Sequence, residues 1–197
     1  WDRAFAHTLG REPICPRPLD MAHIHNRYAP LTSGFVTYSD GIHDDLNKFI
    51  WSALGWDPDS DIRAVVRDYA KTFFGDDVAD AAAKGLFLLE ENWRGPIAKN
   101  TTIEKTLALW KDIAGKDDAQ LEKNWRLQMY LFRAYYDAYV KEKDAAETAA
   151  ERRAYDFLKQ AKGDGLRDAV VAARQELAAA VEAKPGAELR SEIELLG

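Results

Sequence analysis

The side chains most able to do chemistry lie close together, between residues 38 and 47. This stretch reads Tyr-Ser-Asp-Gly-Ile-His-Asp-Asp-Leu-Asn and holds three carboxylates, a histidine and an amide. Carboxylates accept hydrogen bonds and an amide both donates and accepts, so such a set could bind sugar hydroxyls. The stretch joins a predicted strand to a predicted helix, where α/β proteins place ligand sites. A simpler interpretation is that Asp44 and Asp45 cap the following helix.

Two other groups of residues resemble metal ligands but do not have the geometry for it. His23 and His25, with His43 and Asp44, could meet if the chain folded back, but a His-x-His pair on a helix points to different faces. The three aspartates between residues 57 and 61 resemble the start of a calcium loop, without its glycine and glutamate, and a helix N-cap explains them better. We therefore expect no metal and no cofactor.

The composition limits the classes of partner. Lys and Arg number 27 against 33 Asp and Glu, a net charge of −6, and both signs are interspersed along the chain. This argues against a nucleic-acid surface, and no apolar run reaches the roughly 18–20 residues of a membrane span. The single cysteine, Cys15, excludes an internal disulfide and is compatible with export of the intact protein.

One short strand is predicted, at residues 35–38, where four strand-favouring residues follow a glycine. A lone strand cannot satisfy its own backbone groups, and this chain offers it no partner strand. We therefore expect the strand to pair with a part of the protein upstream of this sequence.

From residue 42 onward the spacing of apolar residues predicts helices, at least five in number. The fold class is therefore mainly α, an irregular multi-helix bundle with one short strand near residues 35–38. Trp110 and Trp125 are predicted to be core residues, and Thr101 to Glu104 matches a capping box that opens a helix. After residue 165, alanine-rich helices indicate a thin outer layer or an arm.

The most aromatic helix is predicted to begin near Asp117. It runs unbroken to about Lys162, or breaks near residues 141–144. Its aromatic stripe indicates a core face, and polar residues among the aromatics, such as Gln128 and Arg133, indicate a packed interface or a surface that faces a ligand. The core and a domain interface are the favoured explanation.

Residues 34–58 read GFVTYSDGIHDDLNKFIWSALGWDP, and DIRAVVRDYAKTFFG follows soon after. This arrangement resembles the end of a glycoside-hydrolase (β/α)8 barrel that passes into a C-terminal helical domain. It is similar to α-N-acetylglucosaminidases, α-glucuronidases and their bacterial relatives. The corresponding pieces are a Ser-Asp-Gly turn at residues 39–41, an acidic helix start, the Trp-Asp-Pro turn at residues 56–58 and the Phe-Gly pair at residues 74–75.

The resemblance implies that residues 1–41 end a larger barrel-like domain and that residues 42–197 form a C-terminal helical domain. In this family the catalytic carboxylates lie on earlier barrel strands, so no catalytic residue is assigned here. A supporting role at the open face of the barrel is implied for four residues: Tyr38, Asp40, Asp44 and Asn47. The carbohydrate substrate would be reached through the barrel. The alternative is a stand-alone helical interaction or scaffold module.

Overall fold

The computed structural model describes residues 3–38, 42–162 and 165–196. These residues form ten α-helices joined by turns, four of which are 3₁₀ turns, and they contain no strand. The helices are α1 (Arg3–His7), α2 (Pro18–Tyr28), α3 (Asp45–Trp56), α4 (Ile62–Phe74), α5 (Ala79–Glu91), α6 (Ile103–Ala114), α7 (Ala119–Glu122), α8 (Trp125–Gln160), α9 (Leu166–Glu182) and α10 (Ala187–Leu196). The prediction of a mainly helical bundle is confirmed.

Local signals in the sequence account for several of the helix boundaries. The Asp61 carboxylate accepts a hydrogen bond from the backbone N–H of Arg63, so the predicted cap at the start of α4 is confirmed. Gly75, at a φ of 94°, ends the same helix. Asn124 caps α8 by accepting from Arg126 and Leu127.

The main core lies between helices α3 to α6 and the first half of α8. Its centre is Trp110, fully buried, whose ring stacks on Tyr130 with the centroids 5.3 Å apart. Gly85 allows α5 to approach this ring, because a Cβ there would lie 2.7 Å from the indole. The other fully buried large side chains include Ile50, Leu54, Tyr69, Leu86, Leu89, Ile103 and Ile113.

Helix α8 is a single helix of 36 residues, which spans roughly 54 Å. It contains no break at residues 141–144, and the short helix α7 precedes it. Helices α1, α6, α9 and α10 all contact α8. The two C-terminal helices add a layer that packs mainly through small residues, among them Ala150, Ala154 and Ala173.

The predicted strand at residues 35–38 is wrong for this chain, because these residues have no regular secondary structure. Strand-favouring residues fit a pleated, half-buried surface, and that surface needs a partner strand. The described residues supply none. Phe35 packs instead against the rings of His25 and Trp51, while Val36 is 96% exposed.

Two further local predictions are wrong for physical reasons. Trp125 is 39% exposed, since it opens α8 at the edge of the bundle although it shares the core-facing phase of the helix. The capping box does not form, because α6 begins at Ile103 and the Thr102 hydroxyl donates instead to the side-chain oxygens of Asn92 and Asn100.

The segment before residue 32 packs onto the helical core. The buried Glu90 carboxylate on α5 accepts hydrogen bonds from the backbone N–H groups of Leu19 and Asp20, at the start of α2. Burial raises the pKa of Glu90, and these two N–H groups oppose the rise. The domain boundary at residues 41 and 42 stays a prediction. Among the described helices, none is both long and apolar enough to cross a membrane.

We expect Trp110→Ala to lower the free energy of unfolding by about 3–5 kcal/mol, because it empties a fully buried site. Trp125→Ala, at the partly exposed end of α8, is the matched control and should cost clearly less. Urea denaturation measures both. Equal losses would contradict the assignment of Trp110 to the centre of the core.

Candidate functional site

The predicted polar turn is only partly visible. Asp40 lies outside the described residues, as do its neighbours at positions 39 and 41. Tyr38 is 87% exposed. Asp44 immediately precedes α3 but makes no capping hydrogen bond with its side chain, and burial raises the pKa of its carboxyl. The assignment of these three residues to a sugar site stays a prediction.

Asn47 has a structural role that the sequence did not reveal. Its side-chain N–H donates to the backbone carbonyl of Cys15 at 2.8 Å, and its oxygen accepts from the backbone N–H of Arg17 at 2.9 Å. The buried amide therefore holds the proline-rich loop against α3. Both of its main hydrogen-bonding groups are used within the chain, and a direct contact with sugar stays a prediction.

Asp45 joins three helices. Its carboxylate accepts from Arg126 of α8 at 2.6 Å and from the Tyr69 hydroxyl of α4 at 2.9 Å. The Arg126 guanidinium also lies 3.8 Å from the centroid of the Phe73 ring. The polar turn therefore leads into α3, which the Asp45 carboxylate joins to α8 by an ion pair and to α4 by a hydrogen bond.

The histidines do not come together as metal ligands. His25 lies among the rings of Phe35 and Trp51, and Nδ1 of His43 lies 3.3 Å from the sulfur of Met129. The described part of the chain holds no group of three His, Cys, Asp or Glu residues that could bind a metal ion.

His43 instead borders a cavity of about 470 Å³ that lies between α8 and the loop at residues 10–14. The walls are mainly apolar and aromatic, with Trp125, Met129 and Phe132 on the α8 side. Arg133 and Tyr136 lie one and two turns after Met129 on the same helix, and they also line the cavity. The cavity therefore adjoins the predicted polar turn without being formed by its carboxylates.

A buried ionic cluster supports this cavity. Asp137 is fully buried, and one of its oxygens accepts from Arg11 at 2.7 Å and from Arg133 at 2.8 Å. Arg133 also donates to the backbone carbonyls of Arg11 and Ile14. Both guanidinium groups lie over the Trp93 ring, 4.4 Å and 5.0 Å from its centroid.

Asn92 completes the cluster from the end of α5. Its amide N–H donates to the second oxygen of Asp137 at 2.8 Å, and its backbone carbonyl accepts from Arg11 at 2.8 Å. The hydroxyls of Thr102 and Thr106 donate to its side-chain oxygen. The carboxylate of Asp137 is therefore held on both oxygens by groups from three parts of the chain.

The charges in this cluster do not cancel. Two buried guanidinium groups face one buried carboxylate, which leaves one positive charge in excess. Burial lowers the pKa of Arg11 and Asp137 opposes the shift, but an arginine remains charged in a protein. Burial also raises the pKa of the neighbouring Cys15 thiol, while the positive charge of Arg133 opposes that rise.

Two polar atoms of the residues that line the cavity have no hydrogen-bond partner among the described residues. They are Nη2 of Arg133 and the hydroxyl of Tyr136, and both are buried. Sequence reasoning noticed Arg133 as a polar residue among aromatics but missed Arg11, Asp137 and Tyr136 as a group. The one local signal was the i, i+4 spacing of Arg133 and Asp137.

Comparison of the chain with protein-family models, with curated proteins and with solved structures gives no match.

We expect Asp137→Asn to cost about 3–5 kcal/mol in the free energy of unfolding, because it leaves two buried cations without their anion. Asp80→Asn removes an exposed carboxylate that pairs with Arg67, and it should cause no measurable loss. Chemical denaturation compares the two. A similar result for both variants would mean that the buried cluster is not needed for stability.

Asn47→Ala should lower the free energy of unfolding by about 1–3 kcal/mol, since two backbone groups of the proline-rich loop lose their partner. Asn26, exposed on α2, provides the control substitution Asn26→Ala. Thermal and urea unfolding of the isolated chain give the comparison. If Asn47→Ala is as stable as the parent, the structural role of this amide is refuted.

Proposed function

We propose that this chain is the C-terminal helical region of a carbohydrate-active glycoside hydrolase, which supports the sugar-binding face of a barrel and is not catalytic alone. The observation that carries the proposal is exposed apolar surface in the segment that resembles the barrel's end. Val36 is 96% exposed and Trp56 is 93% exposed, and Leu31 and Tyr38 are also largely exposed.

Two of these residues, Val36 and Trp56, each follow or precede a residue of one close contact in the chain. The Phe35 ring covers Gly55 so closely that a Cβ there would lie 2.6 Å from it. The neighbours of this contact along the chain are Val36 on one side and Trp56 on the other. Single exposed apolar residues are ordinary, whereas several in one region favour a surface that another domain covers.

The resemblance implies different roles for the barrel and for this chain. A glycoside hydrolase needs a pair of carboxylic acids across the scissile bond, and in the proposal both belong to the barrel. Tyr38, Asp40 and Asp44 belong to the turn that would face the sugar. Asn47 contributes by holding the proline-rich loop, and with it the start of α3, in position.

The second candidate is a stand-alone helical interaction or scaffold module. One observation favours it: Leu166, Val170, Leu177 and Val181 are exposed along α9, at spacings that place them on one side of the helix. The coding sequence upstream of Trp1 separates the candidates. A long open frame with alternating strand and helix patterns supports the hydrolase, and a start codon immediately before Trp1 supports the module.

We expect Val36→Asp to affect stability differently in the isolated chain and in a longer protein that includes the barrel. In the isolated chain the side chain is solvated, so the free energy of unfolding should change by no more than about 0.5 kcal/mol. In the longer protein, a barrel that covers Val36 would have to bury the charge, and the melting temperature should fall by several degrees. Differential scanning calorimetry of both proteins makes the measurement.

Val181→Asp on α9 is the matched control. Val181 is 77% exposed, and in the proposal it remains solvated in both proteins, so neither should lose stability. Release of reducing sugar by the longer protein, but not by the isolated chain, is the accompanying activity test. A longer protein that tolerates Val36→Asp as well as Val181→Asp, and that hydrolyses no glycoside, would refute the proposal.

A further inference from the structure

Two polar side chains that line the cavity beside α8 are open to solvent. His43, just before α3, and Gln128, in the first turn of α8, are both exposed. Arg133 and Tyr136 line the cavity as well, but Nη2 of Arg133 and the Tyr136 hydroxyl are closed off from solvent. A ligand that enters from water therefore meets His43 and Gln128 as polar partners.

The contact between His43 and Met129 determines which ring nitrogen can accept a hydrogen bond. Nδ1 of His43 lies 3.3 Å from the Met129 sulfur, and a thioether sulfur only accepts. The proton of the neutral ring is therefore assigned to Nδ1, which leaves the lone pair on Nε2. No residue of the described chain donates to Nε2, so this nitrogen is a free acceptor.

Gln128 offers a second acceptor. Its side-chain nitrogen donates to the backbone carbonyl of Glu122 at 3.2 Å, and this contact distinguishes the nitrogen of the amide from its oxygen. Within the described ranges, nothing donates to the amide oxygen. Both exposed polar side chains thus present an acceptor, which favours a ligand that donates a hydrogen bond.

The charges around the cavity favour a neutral ligand. Arg11 and Arg133 share the single carboxylate of Asp137, so the buried cluster keeps one positive charge in excess. That charge repels a cation, although a cation would also be a donor. An anion has only lone pairs to offer to the acceptors of His43 and Gln128. A neutral hydroxyl avoids both difficulties.

The apolar wall favours an aromatic body for the ligand. Trp125, Met129 and Phe132 line the cavity, and its volume of about 470 Å³ lies within the usual range of small-molecule sites. Aromatic rings pair favourably with one another and with a methionine sulfur, beyond the effect of buried area. A sugar would instead place many hydroxyls against apolar surface without partners.

We propose that this cavity binds a small neutral phenol, whose hydroxyl donates a hydrogen bond to Nε2 of His43 or to the amide oxygen of Gln128. The aromatic ring of the phenol packs against Trp125, Met129 and Phe132. The site lies wholly within this chain and does not depend on the proposed hydrolase function.

The test titrates the isolated chain with phenol, 4-ethylphenol and 2-naphthol, and isothermal titration calorimetry measures binding. The titrations are run at about pH 7, where a phenol keeps its proton. The matched controls are the methyl ethers anisole, 4-ethylanisole and 2-methoxynaphthalene, which keep the ring but cannot donate. We expect at least one phenol to bind at a 1:1 ratio, and its ether to bind about fivefold to tenfold more weakly.

The acceptors can be removed without emptying the core, because both side chains are exposed. The double variant His43→Phe/Gln128→Met keeps side chains of similar size. It should lose the preference for a phenol over its methyl ether, while the ether binds about as well as it does to the parent. Thermal unfolding should change little, as is usual for exposed positions.

The control is the double variant His23→Phe/Gln120→Met. It makes the same chemical changes at exposed positions on α2 and α7, outside the cavity lining. We expect it to keep the preference of the parent for phenols.

Three results would overturn the proposal. The first is no binding of any of the three phenols at a concentration of about 1 mM, since a specific site of this size should bind more tightly. The second is equal binding of each phenol and its methyl ether to the parent chain. The third is an equal preference for phenols in His43→Phe/Gln128→Met and in the control variant. Each of these leaves the hydrolase proposal untouched, because that proposal is tested on Val36 in a longer protein.

Discussion

The burial of the Asp137 carboxylate between two arginines is the interaction that ties the loop around Arg11 to α5 and α8. A carboxylate with no exposure to water is stable only if its oxygens are fully paired. Arg11, Arg133 and Asn92 supply that pairing from the N-terminal loop, α8 and the end of α5. If Asn92 moved away, one oxygen of the buried carboxylate would lose its donor, and if either arginine moved away, the other oxygen would keep only one. The cluster therefore joins the loop, α5 and α8 through one buried carboxylate.

The helices could be predicted from the sequence because their signals are local. The apolar spacing, the Asp61 cap and the Gly75 stop all act within a few residues. The strand at residues 35–38 was wrong because strand propensity has meaning only with a neighbour to pair with. The prediction that Trp125 is a core residue was wrong for a related reason. The spacing of apolar residues shows which face of a helix is buried, but it does not show where along the helix the core ends.

The site could be predicted only in fragments. The polar turn was visible as a dense group of acids, but the function of Asn47 depends on a loop some 30 residues earlier. Arg11 and Asp137 are 126 residues apart in the chain, and no spacing rule joins them. Arg133 stood out because a charged residue in an aromatic stripe needs a partner, although the sequence could not identify that partner.

Helix α8 runs without a break from the cavity to the layer formed by the C-terminal helices. The α8 side of the cavity and the surface on which α9 packs belong to one continuous helix. A tilt of about 5° at the cavity end would carry the far end through about 5 Å, given the rise of 1.5 Å per residue. A change in the tilt of α8 at the cavity would therefore also move the surface on which α9 packs.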